Sequence, residues 1–479
     1  MRILVLISLV AGCNPAGAGA GGDDISDDGG ADAGTTDSVT GDASGDGAVP
    51  LAFGERCGNA LDDDGDGLAD EDCGPRLFAG VFAPAVSTDP ALAAIEGAAG
   101  RPLAVLQTYH SLTALGVART APDLAAIFAR GQVAHLNVEP SGYTAQEYAA
   151  PAAAPLATDL AAMADAIAGA LDATPSGRVL LTFGAEMNGS WTTWGCLPAA
   201  QYIALYRAFH AQVTAKLAAR QVEARRVRWA YGPNSTSSAS CGSAAGYYPG
   251  HAYVDVLGMS AYRSGTDSVQ TTVVAPMASL YSALGYPAAW QRDRFVVLQT
   301  GSRAIAGDDR SAWIASLVTT LTADTRIAGL VYFDAADWAV PTAGAGWAGL
   351  TQSIATAPVT DRGLDATFLP HFWDVSYSDP GFAEIQALRD AGVTTGCATA
   401  PARFCPADLL DGAAATSLLS RAFPGASPPP MTDPLTETDL AAAITSLGGT
   451  PQSTASVPLT RARAAVLIAR GANLAPHPL

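Results

Sequence analysis

An α/β chain built around an eight-stranded (β/α)8 barrel of the TIM type is the fold class this sequence predicts, on three observations. Eight short apolar runs, each long enough for one buried parallel strand, succeed one another between residues 77 and 333. Ala-rich stretches of helical spacing lie between most of them. Eight β/α units in roughly 280 residues is also the length such a barrel needs. The strand runs fall at 77–83, 103–109, 133–138, 178–183, 227–231, 254–259, 295–298 and 327–333. Helices are expected at 91–99, 124–130, 157–171, 200–219, 274–284 and 311–322. A doubly wound open sheet is the competing arrangement, against which stand the eight strands and the lack of a Gly-rich phosphate loop.

Composition divides the 479 residues around that barrel into five regions. Residues 1–13 read as an export signal: Arg2, an apolar run at 3–10 too short to span a bilayer, then Ala11-Gly12-Cys13. This resembles the bacterial lipobox, which implies lipid on Cys13 and, with Asn14 next, a place at the outer membrane or cell surface. Residues 14–52 are Gly, Asp, Ala and Thr with hardly an aromatic, a composition that predicts a disordered tether. The formal charge of -19 excludes a nucleic-acid partner, which needs basic patches. Between Asn14 and Cys73 sixteen acidic residues face one basic residue, Arg56, so much of the excess belongs to the tether and the motif after it.

That motif fills residues 53–75. Asp62, Asp64 and Asp66 at alternate positions, then Gly67 and Asp70, match the start of a Ca2+ loop, because a hard cation needs several carboxylate oxygens converging. Cys73 stands where an EF-hand has its bidentate Glu, so the loop resembles instead the short Cys-bounded, Asp-rich calcium repeats of bacterial surface proteins. With Cys13 lipidated, six cysteines form three local pairs: Cys57 with Cys73, Cys196 with Cys241, and Cys397 with Cys405. An oxidising compartment would close all three. Among the fifteen possible connectivities this one is favoured by proximity.

The barrel is expected over 76–358 and a small, mainly helical region over 359–479. Phe372-Trp-Asp-Val375, the amphipathic stretch 382–391 and the Cys397/Cys405 pair resemble an S-layer homology module with an internal disulfide. A second helix is expected at 413–423 and a degraded second copy from Thr436 to about Leu474. The Thr-Arg signature of those modules survives at Thr460-Arg461, whereas Asp411-Gly412 holds its place in the first copy. The resemblance implies a cell-wall polymer as partner; a helical packing domain without a ligand is the other reading.

The chemistry concentrates after the fourth strand run. Ala185-Glu-Met-Asn-Gly189 is followed by Trp191 and Trp194: a lone carboxylate, an amide and two indoles at one strand end, where a barrel places its active site. With Trp229, Asn234, Tyr262 and the block Val297-Leu-Gln-Thr-Gly-Ser302, this resembles glycoside hydrolase family 26, which holds β-mannanases and some mixed-linkage β-glucanases. The resemblance implies Glu186 as acid/base, and Asn188, Trp191, Trp194, Trp229, Tyr262 and Trp338 around a β-linked polysaccharide. No cofactor is implied for catalysis. It also exposes two departures. Gln299 holds the place of the carboxylate nucleophile, and Ala185 that of a histidine beside the acid. A neutral amide neither attacks an anomeric carbon well nor stabilises an oxocarbenium ion, so impaired or altered catalysis is expected.

Asp334 and Asp337, after the eighth strand, are the surrogate carboxylates the sequence offers. His110 and Glu139, at the ends of strands two and three, are further candidates for substrate contact, and Asp255 is expected to be structural. Three functions follow: a surface glycosidase with an unconventional second carboxylate, a non-hydrolysing carbohydrate-binding protein, or an envelope protein in which the barrel is a spacer.

Overall fold

All eight apolar runs become parallel strands that close on one another in chain order, β8 pairing with β1. They are β1 (Phe78–Phe82), β2 (Val105–Ser111), β3 (Val133–Glu139), β4 (Val179–Phe183), β5 (Val227–Tyr231), β6 (Val256–Arg263), β7 (Phe295–Ser302) and β8 (Ile327–Phe333). The computed structural model describes residues 77–82, 90–263, 265–303, 310–339, 348, 350–351, 364, 367–368, 370–376, 379, 381–399, 401–450 and 458–474. Cys13, the tether, Asp62, Asp64, Asp66, Asp70 and the Cys57/Cys73 pair lie outside the described residues.

Helices cover the outside: α1 (Pro90–Ala99), α2 (Ala114–Ala129), the single-turn α3 (Ala145–Ala149), α4 (Leu156–Ala173), α5 (Ala199–Ala219), α6 (Ala275–Leu284) and α7 (Ser311–Thr322). α2 starts ten residues before the expected position and contains Pro122. Thr113 caps it by accepting from the Gly116 amide at 3.2 Å. β5 and β6 are joined with little helix, by two short 3₁₀ turns at Ala244–Tyr247 and His251–Tyr253. No described helix is long and apolar enough to cross a membrane.

Two apolar layers hold the barrel. Outside, the strands pack on the helices through residues such as Leu136, Leu181, Phe183, Trp229 and Val297. Inside, Phe78, Val105, Val133, Leu180, Ala230, Val256, Val296, Leu298 and Val331 fill the lumen, and Leu364 and Phe368 join them. The closure is fixed at the N-terminal end of the barrel. Arg228 is buried there, with Asp255 at 3.4 Å and the carbonyls of Phe368 and Pro370 at 2.5 and 2.9 Å. Asp255 also accepts the Trp229 amide at 2.8 Å, which is a structural role.

The C-terminal region docks at that same end. Arg294 donates to the Val375 carbonyl at 3.2 Å and lies over the Trp373 ring, which stacks on Tyr286 at 5.0 Å. Its own core joins α8 (Phe382–Asp390), α9 (Gly412–Ala422), α10 (Glu437–Ser446) and α11 (Arg461–Gly471) through Ile385, Leu388, Leu419, Leu440, Ile444 and Leu467. β9 (Ala398–Thr399) and β10 (Ala402–Arg403) form a two-stranded ribbon inside the Cys397–Cys405 disulfide. Asp374 accepts the amides of Phe404 and Cys405, both at 2.7 Å. The cluster of Asp374 with these two cysteines is therefore a capped, cross-linked turn whose sulfurs are committed to each other.

Candidate active site

Strand alternation decides which side chains reach the cleft at the C-terminal mouth. On β3, His135 faces the lumen, bonded to Gln107 at 3.1 Å and Thr182 at 2.9 Å. Its burial drops its pKa to about 3, so it is a neutral strut. Asn137 and Glu139 follow on the same face. On β2, Gln107 and Tyr109 face inward; His110 faces outward to Gly116 and to Asp123, 3.4 Å away. His110 therefore braces α2 and leaves the candidate substrate residues.

β7 breaks the alternation. Met259 pairs with Val297, yet Ser260 pairs with Gln299, so Leu298 is an extra residue in β7. This bulge turns Gln299 inward directly after the lumen residue Leu298. Gln299 is 5% exposed. Its Oε1 accepts from the Tyr262 hydroxyl at 2.9 Å, and its Nε2 approaches Asn137 Oδ1 at 3.5 Å across the barrel.

Glu186 is delivered by a left-handed turn. Gly184 has φ 55° and Glu186 itself φ 59°, a conformation that costs a non-glycine residue about 1–3 kcal/mol and clusters at functional positions. The turn is held because the Glu186 amide donates to Gly232 O at 2.8 Å and its carbonyl accepts from Gly189 N at 2.9 Å. Glu186 Oε2 accepts from Trp191 Nε1 at 2.5 Å. Gly189 makes that possible: a Cβ there would lie 2.2 Å from the Trp191 ring. Burial raises the Glu186 carboxyl above its ordinary range, and Trp191, Ser260 and Asn234 pull the other way. Burial, and next the charge of Glu186, raise Glu139 as well.

Aromatic rings line the opposite wall. Phe82 stacks on Phe333 at 5.0 Å, Tyr109 meets both edge-on, and Tyr262 sits 4.6 Å from Trp338. Trp191, 36% exposed, and the half-buried Trp338 keep rings accessible for a sugar face.

Three expected contact residues are placed elsewhere. Trp229 points outward between β5 and α5, against Tyr206, Phe209 and His210, because alternation gives the inward positions to Arg228 and Ala230. Trp194 is 6% exposed and donates to the Ala185 carbonyl at 2.8 Å, which props the acid's turn from behind. Asn188 is fully buried: its Nδ2 donates to Asn234 O at 2.8 Å and Ser237 Oγ at 3.0 Å, and its Oδ1 accepts from Asn234 N at 2.8 Å. It clamps the loop after β4 to the loop after β5. The Cys196–Cys241 disulfide joins the same two loops, as expected.

Of the surrogate carboxylates, Asp337 is exposed and pairs with Arg303 at 3.4 Å, and Asp334 sits near the outward Tyr332 hydroxyl. Tyr109, Asn137, Ser260, Phe82 and Phe333 complete the cleft and were not singled out from sequence as contact residues. Period-two counting back from Glu139 and Tyr262 would have found Asn137 and Ser260.

A half-buried acid whose carboxyl is raised, a tyrosine bonded to the Gln299 amide and an aromatic wall share one cleft. Residues 148–285 match glycosyl hydrolase family 26. The match contains Glu186, Trp191 and Tyr262 and ends before Gln299, and it supports a glycan-acting barrel. No curated protein matches the chain. Among solved structures, a modular endo-β-1,4-mannanase from Cellulomonas fimi is similar, with 17% identity over 64% of this chain and 75% of that one, at a TM-score of 0.46. The catalytic domain of a family 26 endo-β-1,4-mannanase from Bacillus sp. JAMB-750 gives 15% identity, 63% and 90% coverage and a TM-score of 0.45. For the YdhT protein from Bacillus subtilis the values are 18%, 58%, 85% and 0.43.

Proposed function

We propose that the cleft takes a β-linked polysaccharide, a mannan or β-glucan, and that the covalent-nucleophile route is closed in it. The observation that carries this reading is the Tyr262 hydroxyl donating to the amide oxygen of Gln299, in the same cleft as Glu186. A carboxylate in that place would attack the anomeric carbon; the amide holds the geometry without the charge. Glu186 is the proton donor of the site, and Trp191 and Trp338 are its sugar platforms.

Affinity electrophoresis through gels containing β-mannan, glucomannan or mixed-linkage β-glucan tests the reading. Retardation by at least one of these, reduced in Trp191→Ala, is the expected result. Equal mobility in all gels and in a polysaccharide-free gel would leave the barrel a spacer.

The anchoring is likewise a proposal. Lipid on Cys13 holds the chain at the outer membrane or cell surface, the acidic tether spaces it away, and the Asp62–Asp70 loop takes Ca2+; these rest on sequence resemblance. For the C-terminal region, Thr460 caps α11 and Arg461 lies over the Phe404 ring while donating to its carbonyl at 2.8 Å. Those contacts support a role for the Thr-Arg pair in the module's own fold, and its wall-polymer role rests on resemblance alone. Cys13→Ser would move the protein from the membrane to the soluble fraction.

A further inference from the structure

Glu139 is the one cleft carboxylate besides Glu186 that faces the lumen among the described residues, and nothing structural claims it. It ends β3 on the face of His135 and Asn137, and its backbone carbonyl accepts from Leu112 and Ser141. Its side chain has neither a cation nor a hydrogen-bond donor among the described residues, unlike Asp123, Asp255 and Asp337, which each have one. Two residues below it, about 6.6 Å along the strand, Asn137 is 1% exposed and touches the Gln299 amide. The Nδ2 of Asn137 and the hydroxyl of Tyr109 are both buried with no partner among the described residues. Tyr109 lies beside Tyr262 and close enough to Glu186 and Glu139 to feel the charge of those two carboxylates. The wall made by β2 and β3 thus holds an uncommitted carboxylate and two uncommitted polar groups, directly above the place where the nucleophile is missing. A residue that served only the fold would have used them.

We propose that Glu139 is the base of a single-displacement hydrolysis whose acid is Glu186. The inference rests on the glycan-cleft reading. The Glu139 carboxylate takes a proton from a water molecule as the water oxygen bonds to the anomeric carbon. The bond from that carbon to the glycosidic oxygen breaks, and Glu186 gives its proton to the departing oxygen. One water is consumed and two hydroxyl ends are formed. Glu139 finishes protonated and Glu186 ionised, and exchange with solvent resets both. The configuration at the anomeric carbon inverts, so a β-linked chain yields an α-anomer first. Gln299 and Asn137 need no charge in this scheme; their amides hold the reacting sugar from below. The partial sharing of environment between the two carboxyls suits it, since one must be protonated while the other is not.

The test uses the full chain and β-1,4-linked manno- and gluco-oligosaccharides, with the first product observed by proton NMR before mutarotation. The α-anomer is expected. Glu139→Gln should lose at least about 100-fold in kcat while its retardation in polysaccharide gels stays unchanged, which shows that it is folded. Azide added to Glu139→Ala should restore turnover and give an α-glycosyl azide. A β-anomer from wild type, an unchanged rate in Glu139→Gln, or gel retardation by wild type without any release of reducing ends would each overturn the proposal. The last outcome leaves the glycan-cleft reading standing. Loss of retardation itself would overturn both.

Discussion

Asn188 separates a clamp from a sugar ligand. Its side chain makes three hydrogen bonds, at 2.8, 3.0 and 2.8 Å, all to the loop after β5, and it is fully buried. At about 1 kcal/mol for each bond, Asn188→Ala removes about 3 kcal/mol. The effect spreads to the acid, because the Glu186 amide is held by Gly232 on the same loop segment. Urea unfolding followed by Trp fluorescence would measure the loss as a lower midpoint at unchanged slope. Glycan retardation, measured well below the new midpoint, should fall only modestly. An Asn188→Ala variant that unfolds within about 1 kcal/mol of wild type while losing its retardation in the gels would contradict the clamp, since that pattern belongs to a residue that touches sugar.

Three other outcomes are expected. Glu186 has a folded pKa above its unfolded value, so its stabilising contribution is complete below about pH 4.3 and is lost as pH rises through the raised value. Glu186→Gln should therefore melt higher than wild type at neutral pH, with the gap closing in acid; equal melting at both pH values would contradict the burial. Trp229→Ala should cost about 3–5 kcal/mol and leave glycan retardation intact once folded, whereas loss of retardation alone would return Trp229 to the cleft. Replacing Cys196 and Cys241 together by Ser releases a loop with a sequence separation of 45. By chain entropy that removes about 4 kcal/mol, measurable in urea against the unreduced parent.

The sequence displayed the barrel because buried parallel strands are apolar on both faces, and that signal survives without tertiary knowledge. β5 and β8 begin and end where the apolar runs do. β6 and β7 run four residues beyond them, through Ser260–Arg263 and Gln299–Ser302, because strands that carry a site turn polar at their functional ends. An apolar count stops there. The expected helix at 124–130 misses the first ten residues of α2, which carries Pro122 inside it.

The site was legible by type and less so by direction. Glu186, Trp191, Tyr262 and Gln299 converge on one cleft, since strand ends of a barrel must. Trp229, Trp194 and Asn188 belong to the same sequence blocks but face away or hold loops. Only the alternation on β5 and the hydrogen bonds around Ala185 and Asn234 reveal this. The inward turn of Gln299 depends on a bulge at Leu298, which no local composition announces.

The claim on which the rest depends is that Gln299 stands where a nucleophile would stand, within reach of the same sugar as Glu186. Gln299→Glu, assayed on β-1,4-manno-oligosaccharides by early proton NMR, tests it most directly. Gln299→Glu should release reducing ends at least about tenfold faster than wild type, with the β-anomer formed first, as a carboxylate nucleophile requires. A folded Gln299→Glu that still binds glycan yet gains no hydrolysis with retention would contradict it.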